Sequence, residues 1–175
     1  GFVSLANAVA MFGHTCVFVD CELGTLNISA NALEAAVTSR TKAVITINDG
    51  GIPCNYDKIK ASCRKRKSWL IEDNAHGLFA EFDGVPLGSF GDISTFSFDS
   101  MKMITSYEGG ALAINNKSLI NAALSCTDMG TNRPDFKKGN VLFYEWTSLG
   151  TNTILAKPLL DILQEQIIQS ATRPR

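Results

Sequence analysis

Lys102 is the side chain in this sequence of 175 residues that is best suited to nucleophilic chemistry. Methionines at positions 101 and 103 flank it in place of other charged residues. An apolar setting disfavours the ammonium form, and the neutral amine that remains can attack carbonyl carbon atoms. A long lysine side chain more often keeps its charged end in water, so both interpretations stay open at this point.

Two more polar side chains follow an apolar run that is typical of a buried strand. Asp73 comes directly after Trp-Leu-Ile-Glu at 69–72, and His76 lies three residues further on. A carboxylate at the carboxyl end of a strand lies where ligands bind in open α/β sheets. Asp73 could equally cap a helix that starts at Asn74, and His76 could be an ordinary hydrogen-bonded histidine at the start of that helix.

Ser97 and a glycine pair complete the set of candidate residues. Ser97 stands between two phenylalanines, and its hydroxyl could donate a hydrogen bond to an anion, although a serine in a strand is by itself unremarkable. Glu-Gly-Gly at 108–110 permits positive φ angles and close approach of the backbone, but it is also an ordinary turn signal.

The charge balance points to a small-molecule ligand. Lys plus Arg number 16 and Asp plus Glu number 17, and a net charge of −1 gives no field that gathers nucleic acid or a membrane surface. The cationic run within 58–67 is interpreted as a solvated helix face. Five irregularly spaced cysteines favour a reducing cytoplasm over disulfides or a metal site, and no apolar run is long enough to predict a membrane span.

The apolar pattern alternates between helices and strands in the first half of the chain. We predict a buried helix over 2–12, a strand over 16–20, a helix over 30–37 with Ser29 as its N-cap, a strand over 43–47, a helix over 56–66 and a strand over 69–71. Strands that are apolar throughout and alternate with helices form parallel sheets. The predicted class is α/β, with a mainly parallel sheet flanked by helices.

The order of elements changes in the second half. Strands over 93–98 and 111–114 are separated by a loop too short for a crossover helix, which favours a hairpin-like or mixed edge. Helices are predicted over 117–124 and 153–170, and residues 171–175 are expected to fray. The polar stretch 127–150 is longer than usual connections and is a candidate functional loop.

Taken in order, these segments resemble the sugar aminotransferases of the DegT/DnrJ/EryC/StrS type, a branch of the fold-type I enzymes that use pyridoxal 5'-phosphate. The segments that carry the resemblance are 2–8, 17–20, 71–76, 88–92, 96–98, Lys102 and 108–111. Each motif alone is weak, whereas their order is specific and the match runs over nearly the whole chain. The resemblance implies the large domain of a fold-type I transferase.

The resemblance also implies a role for each candidate residue. Lys102 would form the internal aldimine with the cofactor and shuttle protons, and Asp73 would pair with the protonated pyridine nitrogen. Ser97 matches a family position whose hydroxyl binds the cofactor phosphate. Phe2 matches an aromatic position that stacks on the cofactor ring, and His76 matches a position that packs against the cofactor. A lysine at position 102 separates the chain from the sugar 3-dehydrases of the family, which have histidine there, and no metal is implied.

The polar stretch carries the substrate clue. Its segments 130–141 and 144–150 resemble the subgroup that converts dTDP-4-keto-6-deoxy-glucose into the 4-amino-4,6-dideoxy-galactose nucleotide. The resemblance implies a nucleotide-sugar acceptor, L-glutamate as amino donor, and a role in precursors of surface polysaccharides such as lipopolysaccharide or enterobacterial common antigen. Because family members are dimers with composite active sites, we expect a cytoplasmic homodimer.

The chain also departs from the family pattern. Asn48 stands where the family usually has histidine, and Asp-Ser-Met at 99–101 replaces a polar-small-Thr run. Ala-Lys-Pro at 156–158 stands where the family usually has a helix with a Ser-Asp or Thr-Asn pair near the cofactor phosphate or the partner subunit. Two alternatives therefore stay open. One is another fold-type I reaction, such as desulfuration or β-elimination, and the other is a catalytically silent, truncated homologue.

We expect residues 1–150 to form the central part of the cofactor-binding large domain and residues 151–175 to form the divergent helix that follows. The amino-terminal region and the carboxy-terminal small domain of the family are expected to lie outside these 175 residues. A helix N-terminus whose backbone amides donate hydrogen bonds to the cofactor phosphate would lie in that amino-terminal region. The chain by itself is therefore expected to bind the cofactor weakly and to show little or no activity.

Overall fold

The computed structural model describes residues 2–172, which form two compact units. The first unit runs up to Ser97 and includes Ala111–Asn115, whereas the second comprises Phe98–Gly110 and the chain from Asn116 onward. Residues 173–175, part of the segment predicted to fray, lie outside the described residues. Among the helices of the described part, none is long and apolar enough to span a membrane.

The first unit follows the predicted alternation of helices and strands. Its elements are α1 (Val3–Met11), α2 (Ala30–Ala36), β1 (Ala43–Ile47), α3 (Tyr56–Arg66), β2 (Trp69–Asp73), β3 (Glu81–Phe82), β4 (Val85–Pro86), β5 (Ile93–Ser97) and most of β6 (Gly110–Ile114). A 3-10 turn, Asp49–Gly51, follows β1. Ser29 caps α2 as predicted, because its side chain accepts a hydrogen bond from the Ala32 amide at 3.4 Å.

The four long strands form one sheet in the order β1-β2-β5-β6. β1 runs parallel to β2 with Ile47 opposite Asp73, and β2 runs parallel to β5 with Asp73 opposite Thr95. The last strand is antiparallel to β5, since Asn115 donates its backbone N–H to the Asp92 carbonyl at 3.0 Å. Both the α/β class and the mixed edge of the sheet are confirmed.

Side chains alternate between the two faces of this sheet. One face is buried against the helices. The core between them includes Val44 and Leu70 from the sheet and Leu33, Ile59 and Cys63 from the helices. Tyr56 of α3 belongs to the same core and stacks on Phe90 with 4.4 Å between ring centroids. The other face, which carries Asp73 and Ser97, is only half-buried. The predicted site residues of these strands therefore lie on the more open face.

Three features differ from the predictions. The first helix exists but is not buried, since α1 contributes no buried residue and Phe12 at its end is 71% exposed. Residues 16–20 are extended without a strand ladder, and only Cys21 forms an isolated bridge, to Ile28. An apolar composition predicts that a helix can be buried, but it does not show which element covers the helix.

The β3-β4 ribbon was missed, although Asp-Gly at 83–84 is a typical hairpin turn signal.

The second unit is mainly helical. A 3-10 turn, Lys117–Leu119, leads into α4 (Ile120–Thr127), followed by α5 (Arg133–Lys137) and α6 (Lys157–Thr172). The last helix begins later than predicted, with Pro158 in its first turn, where the missing N–H costs no helical hydrogen bond. Phe98, Ile104 and Leu163 are the buried apolar side chains of this unit.

Three buried acidic groups of the first unit predict loss of stability in alkali. Burial raises the pKa of the Cys54 thiol from 9.0 to about 12, helped by the nearby Glu72 carboxylate. Burial likewise raises the pKa of the Tyr56 phenol and of the Cys63 thiol. The unfolded chain releases these protons at a lower pH than the folded chain does. The free energy of unfolding is therefore expected to hold below pH 9 and to fall as the pH rises toward about 12.

Urea denaturation at a series of pH values checks this expectation. Cys54→Ala removes one of the three groups, so the free energy of unfolding of this variant should fall less steeply with pH than that of the parent protein. Cys126→Ala is the matched control, because the thiol of Cys126 is exposed. Equal slopes for Cys54→Ala and Cys126→Ala would show that the buried thiol does not contribute.

Candidate active site

Asp73 is the last residue of β2 and marks the carboxyl end of the parallel strands. Its side chain is half-buried, and its Oδ1 accepts a hydrogen bond from the Ala75 amide at 2.9 Å. Residues 74–79 form turns and no helix begins at Asn74, so the alternative that Asp73 caps a helix is wrong. The carboxylate thus stands at the sheet edge, where ligands bind in this class of fold.

Ser97 lies on the same edge and on the same face of the sheet. It ends β5, two residues after Thr95, which is the register partner of Asp73. Residues two apart in a strand project to the same face, and register partners of neighbouring strands do so as well. The structure therefore places the Asp73 carboxylate and the Ser97 hydroxyl on one face, at adjacent strand ends.

His76 is joined to the loop that follows β1. Its Nδ1 lies 3.3 Å from Asp49 Oδ1, and the backbone N–H of Gly50 donates to the same nitrogen at 3.4 Å. Gly51 has φ +77°, and a Cβ there would lie 3.1 Å from the His76 carbonyl oxygen, so this loop needs glycine for its close approach. The imidazole is exposed, which leaves it available to a ligand at the sheet edge.

Phe2 differs from the other candidates in its surroundings. It precedes α1 and leaves 73% of its surface exposed, so its ring is uncovered within the described part of the chain. An aromatic ring exposed in this way is accessible for stacking on a flat ligand.

Lys102 belongs to the second unit and lies in the turns that follow β5. Its backbone N–H donates to the Asp99 carbonyl at 2.9 Å, and its side chain is half-buried. The expectation that the flanking methionines desolvate it is wrong, because Met101 is 89% and Met103 78% exposed. In an irregular turn the side-chain directions do not repeat with the period of a strand or a helix. The residues next to Lys102 in the sequence therefore do not show what surrounds its side chain.

A buried acid in β2 was missed by the sequence analysis. Glu72 is fully buried, and its carboxylate accepts hydrogen bonds from the backbone amides of Gly88 and Phe90 and from the Ser94 hydroxyl. A signal was present in the sequence, namely an ionisable residue inside an otherwise apolar run. Its partners follow 16 to 22 positions later in the chain, and sequence periodicity does not identify them.

The polar stretch predicted as a functional loop is folded back on itself. Arg133 Nε donates to Asp128 Oδ2 at 2.7 Å, and the carboxylate raises the pKa of the guanidinium. Isolated bridges join Asp128 to Asn152 and Thr131 to Trp146. Gly130 is required here, since a Cβ would lie 1.8 Å from the Ser148 carbonyl oxygen. The fold presents exposed apolar side chains, namely Leu142, Phe143 and Trp146.

The residues at the sheet edge fit pyridoxal phosphate in chemical type. A half-buried carboxylate stabilises a cationic ring nitrogen, and a hydroxyl donor suits an anionic oxygen. Both groups are on the half-buried face of the sheet, opposite the face that packs into the core. Among residues 2–172 no group of His, Cys, Asp and Glu is arranged to hold a metal ion.

Comparison with known proteins decides the family. The model of the DegT/DnrJ/EryC1/StrS aminotransferase family matches residues 1–167. The chain belongs to this family. The expectation from the ordered motifs is thereby confirmed at the level of the DegT/DnrJ/EryC1/StrS aminotransferases, though not at the level of one subgroup.

Individual members of the family show the extent of the similarity. GDP-perosamine synthase from Escherichia coli O157:H7 is 35% identical over 129 residues, which cover 74% of this chain and 35% of that protein. The dTDP-4-dehydro-2,3,6-trideoxy-D-glucose 4-aminotransferase from Saccharopolyspora spinosa is 39% identical over 109 residues, or 62% of this chain and 28% of the relative. Among solved structures, the aminotransferase from Psychrobacter cryohalolentis matches with a TM-score of 0.89 at 28% identity, covering 97% of this chain and 44% of that one.

The matched part spans about a third of the curated DegT/DnrJ/EryC1/StrS relatives, 35% and 28% of their lengths. The high TM-score confirms the fold, because nearly the whole of this chain superimposes on a solved aminotransferase structure. Family membership makes Asp73, Ser97 and Lys102 candidates for shared chemistry, whereas their individual roles are proposals.

Proposed function

We propose that the whole protein is a nucleotide-sugar aminotransferase that uses pyridoxal 5'-phosphate. The observation that carries the proposal is the placement of Asp73 and Ser97 on one half-buried face at the carboxyl edge of parallel strands. Family membership supports the same activity, since the matching model describes aminotransferases. Residues 1–150 would be the central part of the cofactor-binding large domain, and residues 151–175 the helix that follows it.

Each candidate residue has a defined task in this proposal. Asp73 would hold a proton on the ring nitrogen of the cofactor, because a carboxylate stabilises the cationic form of a base beside it. Ser97 would donate its hydroxyl hydrogen to the cofactor phosphate. His76 would pack against the cofactor from the turn after β2, and Phe2 would stack on the ring.

Lys102 would bind the cofactor covalently through Nζ. Once released by the incoming amino donor, the free amine would accept and return a proton at the carbon that carries the amino group. Pyridoxal phosphate supplies an electron sink for the electron pair left behind when that proton departs.

We propose dTDP-4-keto-6-deoxy-glucose as acceptor, L-glutamate as donor, and the 4-amino-4,6-dideoxy-galactose nucleotide as product. The support is the likeness of segments 130–141 and 144–150 to the subgroup that makes this sugar, together with a relative whose name specifies a dTDP-linked 4-keto-sugar. The protein would act as a cytoplasmic homodimer in the synthesis of surface polysaccharide precursors. The competing substrate is a GDP-linked acceptor, because a second relative is named GDP-perosamine synthase.

A substrate comparison tests this proposal. The whole protein is supplied with L-glutamate and either the dTDP-linked or the GDP-linked 4-keto-6-deoxy sugar, and amino sugar and 2-oxoglutarate are quantified by mass spectrometry. We expect both products to form, with a higher kcat/KM for the dTDP sugar. A higher kcat/KM for the GDP sugar would overturn the proposed acceptor. Absence of amino sugar from both reactions would favour a catalytically silent homologue or a different reaction of the same fold.

A further inference from the structure

Both sequence neighbours of Asp73 point into the protein core. Glu72 has no exposed surface and Asn74 is 1% exposed, whereas Asp73 between them is half-buried on the opposite side. Side chains alternate across a strand, so anchoring the two neighbours constrains the direction of the residue between them. The environment of Glu72 and Asn74 therefore bears directly on the geometry of the site.

The Glu72 carboxylate joins β2 to the turn that precedes β5. Oε2 accepts the Gly88 amide at 2.9 Å, and Oε1 accepts the Phe90 amide at 2.6 Å together with that of Gly91. Gly91 fits only without a side chain, because a Cβ would lie 2.8 Å from the Leu70 carbonyl oxygen. The turn is thus shaped to bring a row of N–H donors onto one buried carboxylate, whose charge strengthens each hydrogen bond.

The Glu72 carboxylate also makes a hydrogen bond that depends on the register of β2 and β5. Ser94 is the register partner of Glu72 in the parallel pair, and its hydroxyl donates to Glu72 Oε1 at 3.0 Å. A slip of one residue would turn Ser94 to the other face and break this bond. The bond therefore exists only when Asp73 stands opposite Thr95, which is the register that brings Ser97 to the edge beside Asp73.

Asn74 extends the network to the end of β1. Its Nδ2 donates to Glu72 Oε2 at 3.4 Å, and its Oδ1 accepts from Asn48 Nδ2. Tyr56 in turn donates its hydroxyl hydrogen to Asn48 Oδ1 at 2.8 Å. One buried chain of polar groups thus connects the carboxyl ends of β1 and β2 with the start of β5, on the face opposite to the candidate site.

We propose that Glu72 is a positioning residue, which locks the register of β2 and β5 from the core side and thereby aligns Asp73 with Ser97 on the open side. The alignment is a property of this chain, and its use in cofactor binding rests on the proposed function. Two interactions report on it without any cofactor: the Ala75 amide donates to Asp73 Oδ1, and the Asn74 amide donates to the Thr95 carbonyl at 2.8 Å.

Hydrogen exchange of single amides in the cofactor-free whole protein tests the proposal. Ser94→Ala removes one donor from Glu72, and Glu72→Gln replaces the acceptor of the whole row. Ser68→Ala is the matched control, since this buried hydroxyl donates to the Cys63 carbonyl at 3.5 Å outside the network. Exchange at Ala75 is compared with exchange at Val44 inside β1, whose N–H faces β2 and which reports on general loss of stability.

In Ser94→Ala we expect exchange at Ala75 to accelerate by about tenfold more than exchange at Val44, as loss of a charge-assisted hydrogen bond predicts. In Ser68→Ala exchange at the two amides should change by the same factor. The difference between the two amides should be larger in Glu72→Gln than in Ser94→Ala, and if Glu72→Gln does not fold, Ser94→Ala decides alone. Equal acceleration at Ala75 and Val44 in Ser94→Ala would overturn the positioning role.

The cofactor supplies a second and separable readout. Titration of the protein with pyridoxal phosphate should give a visible absorbance band, with a dissociation constant about tenfold higher in Ser94→Ala than in Ser68→Ala. Equal dissociation constants in these two variants would contradict the link between register and site. If the parent protein shows no band, the proposed function fails, whereas the exchange result still decides whether Glu72 positions Asp73.

Discussion

Replacement of Lys102 by alanine is expected to abolish covalent binding of pyridoxal phosphate and to lower kcat for amino transfer by about four orders of magnitude or more. One amine would hold the cofactor and also carry the proton at the reacting carbon, so its loss removes two functions at once. The expected result is measured as 2-oxoglutarate formation from L-glutamate, together with the visible absorbance of the cofactor-loaded protein.

Lys117→Ala is the control for this variant. Lys117 is an exposed lysine of the same unit, at the start of a 3-10 turn, and its replacement should leave both measurements unchanged. A Lys102→Ala protein that keeps its absorbance band and a rate near that of Lys117→Ala would show that another amine holds the cofactor. Loss of activity in both variants would instead indicate damage to the second unit.

Asp73→Asn is expected to have the next largest effect, a loss of kcat by about a thousandfold. The amide keeps the size of the side chain and can still accept a hydrogen bond from Ala75, but it carries no charge to hold a proton on the ring nitrogen. Binding of the cofactor should change less than kcat. Asp73→Glu keeps the charge at a displaced position and should retain more activity than Asp73→Asn.

The same change at an exposed turn serves as the control. Asp83 has φ +51° in the two-residue turn between β3 and β4, and asparagine tolerates such a conformation. Steady-state kinetics of Asp73→Asn and Asp83→Asn are compared at one pH and one cofactor concentration. Equal kcat values in the two variants would remove Asp73 from the chemistry.

Local elements of the fold were predictable where pattern and boundary signals agree. The bounds of β1 and α3 match the prediction, since a β-branched run identifies β1 and apolar residues at helical spacing, Ile59 and Cys63, identify α3. β2 extends beyond its predicted end, because Glu72 is satisfied by amides and a hydroxyl that come later in the chain. Bonds between distant segments do not show in periodicity, so the end of a strand can be missed.

The candidate site was predictable to different degrees along the chain. The strand ends of β2 and β5 place Asp73 and Ser97, because the carboxyl ends of parallel strands meet at one edge of a sheet. The environment of Lys102 was not predictable from its neighbours, since an irregular turn exposes both flanking methionines. The exposed face of α1 has the same cause, as an apolar helix face predicts burial without naming what covers it.

Reductive trapping tests whether Lys102 binds the cofactor. The whole protein is incubated with pyridoxal 5'-phosphate, reduced with borohydride, digested and analysed by mass spectrometry for pyridoxyl-modified lysine. We expect modification at Lys102, and its absence from the same peptide of Lys102→Ala. Modification at a different lysine, or at no lysine in the parent protein, would contradict the proposal that Lys102 binds the cofactor for amino transfer.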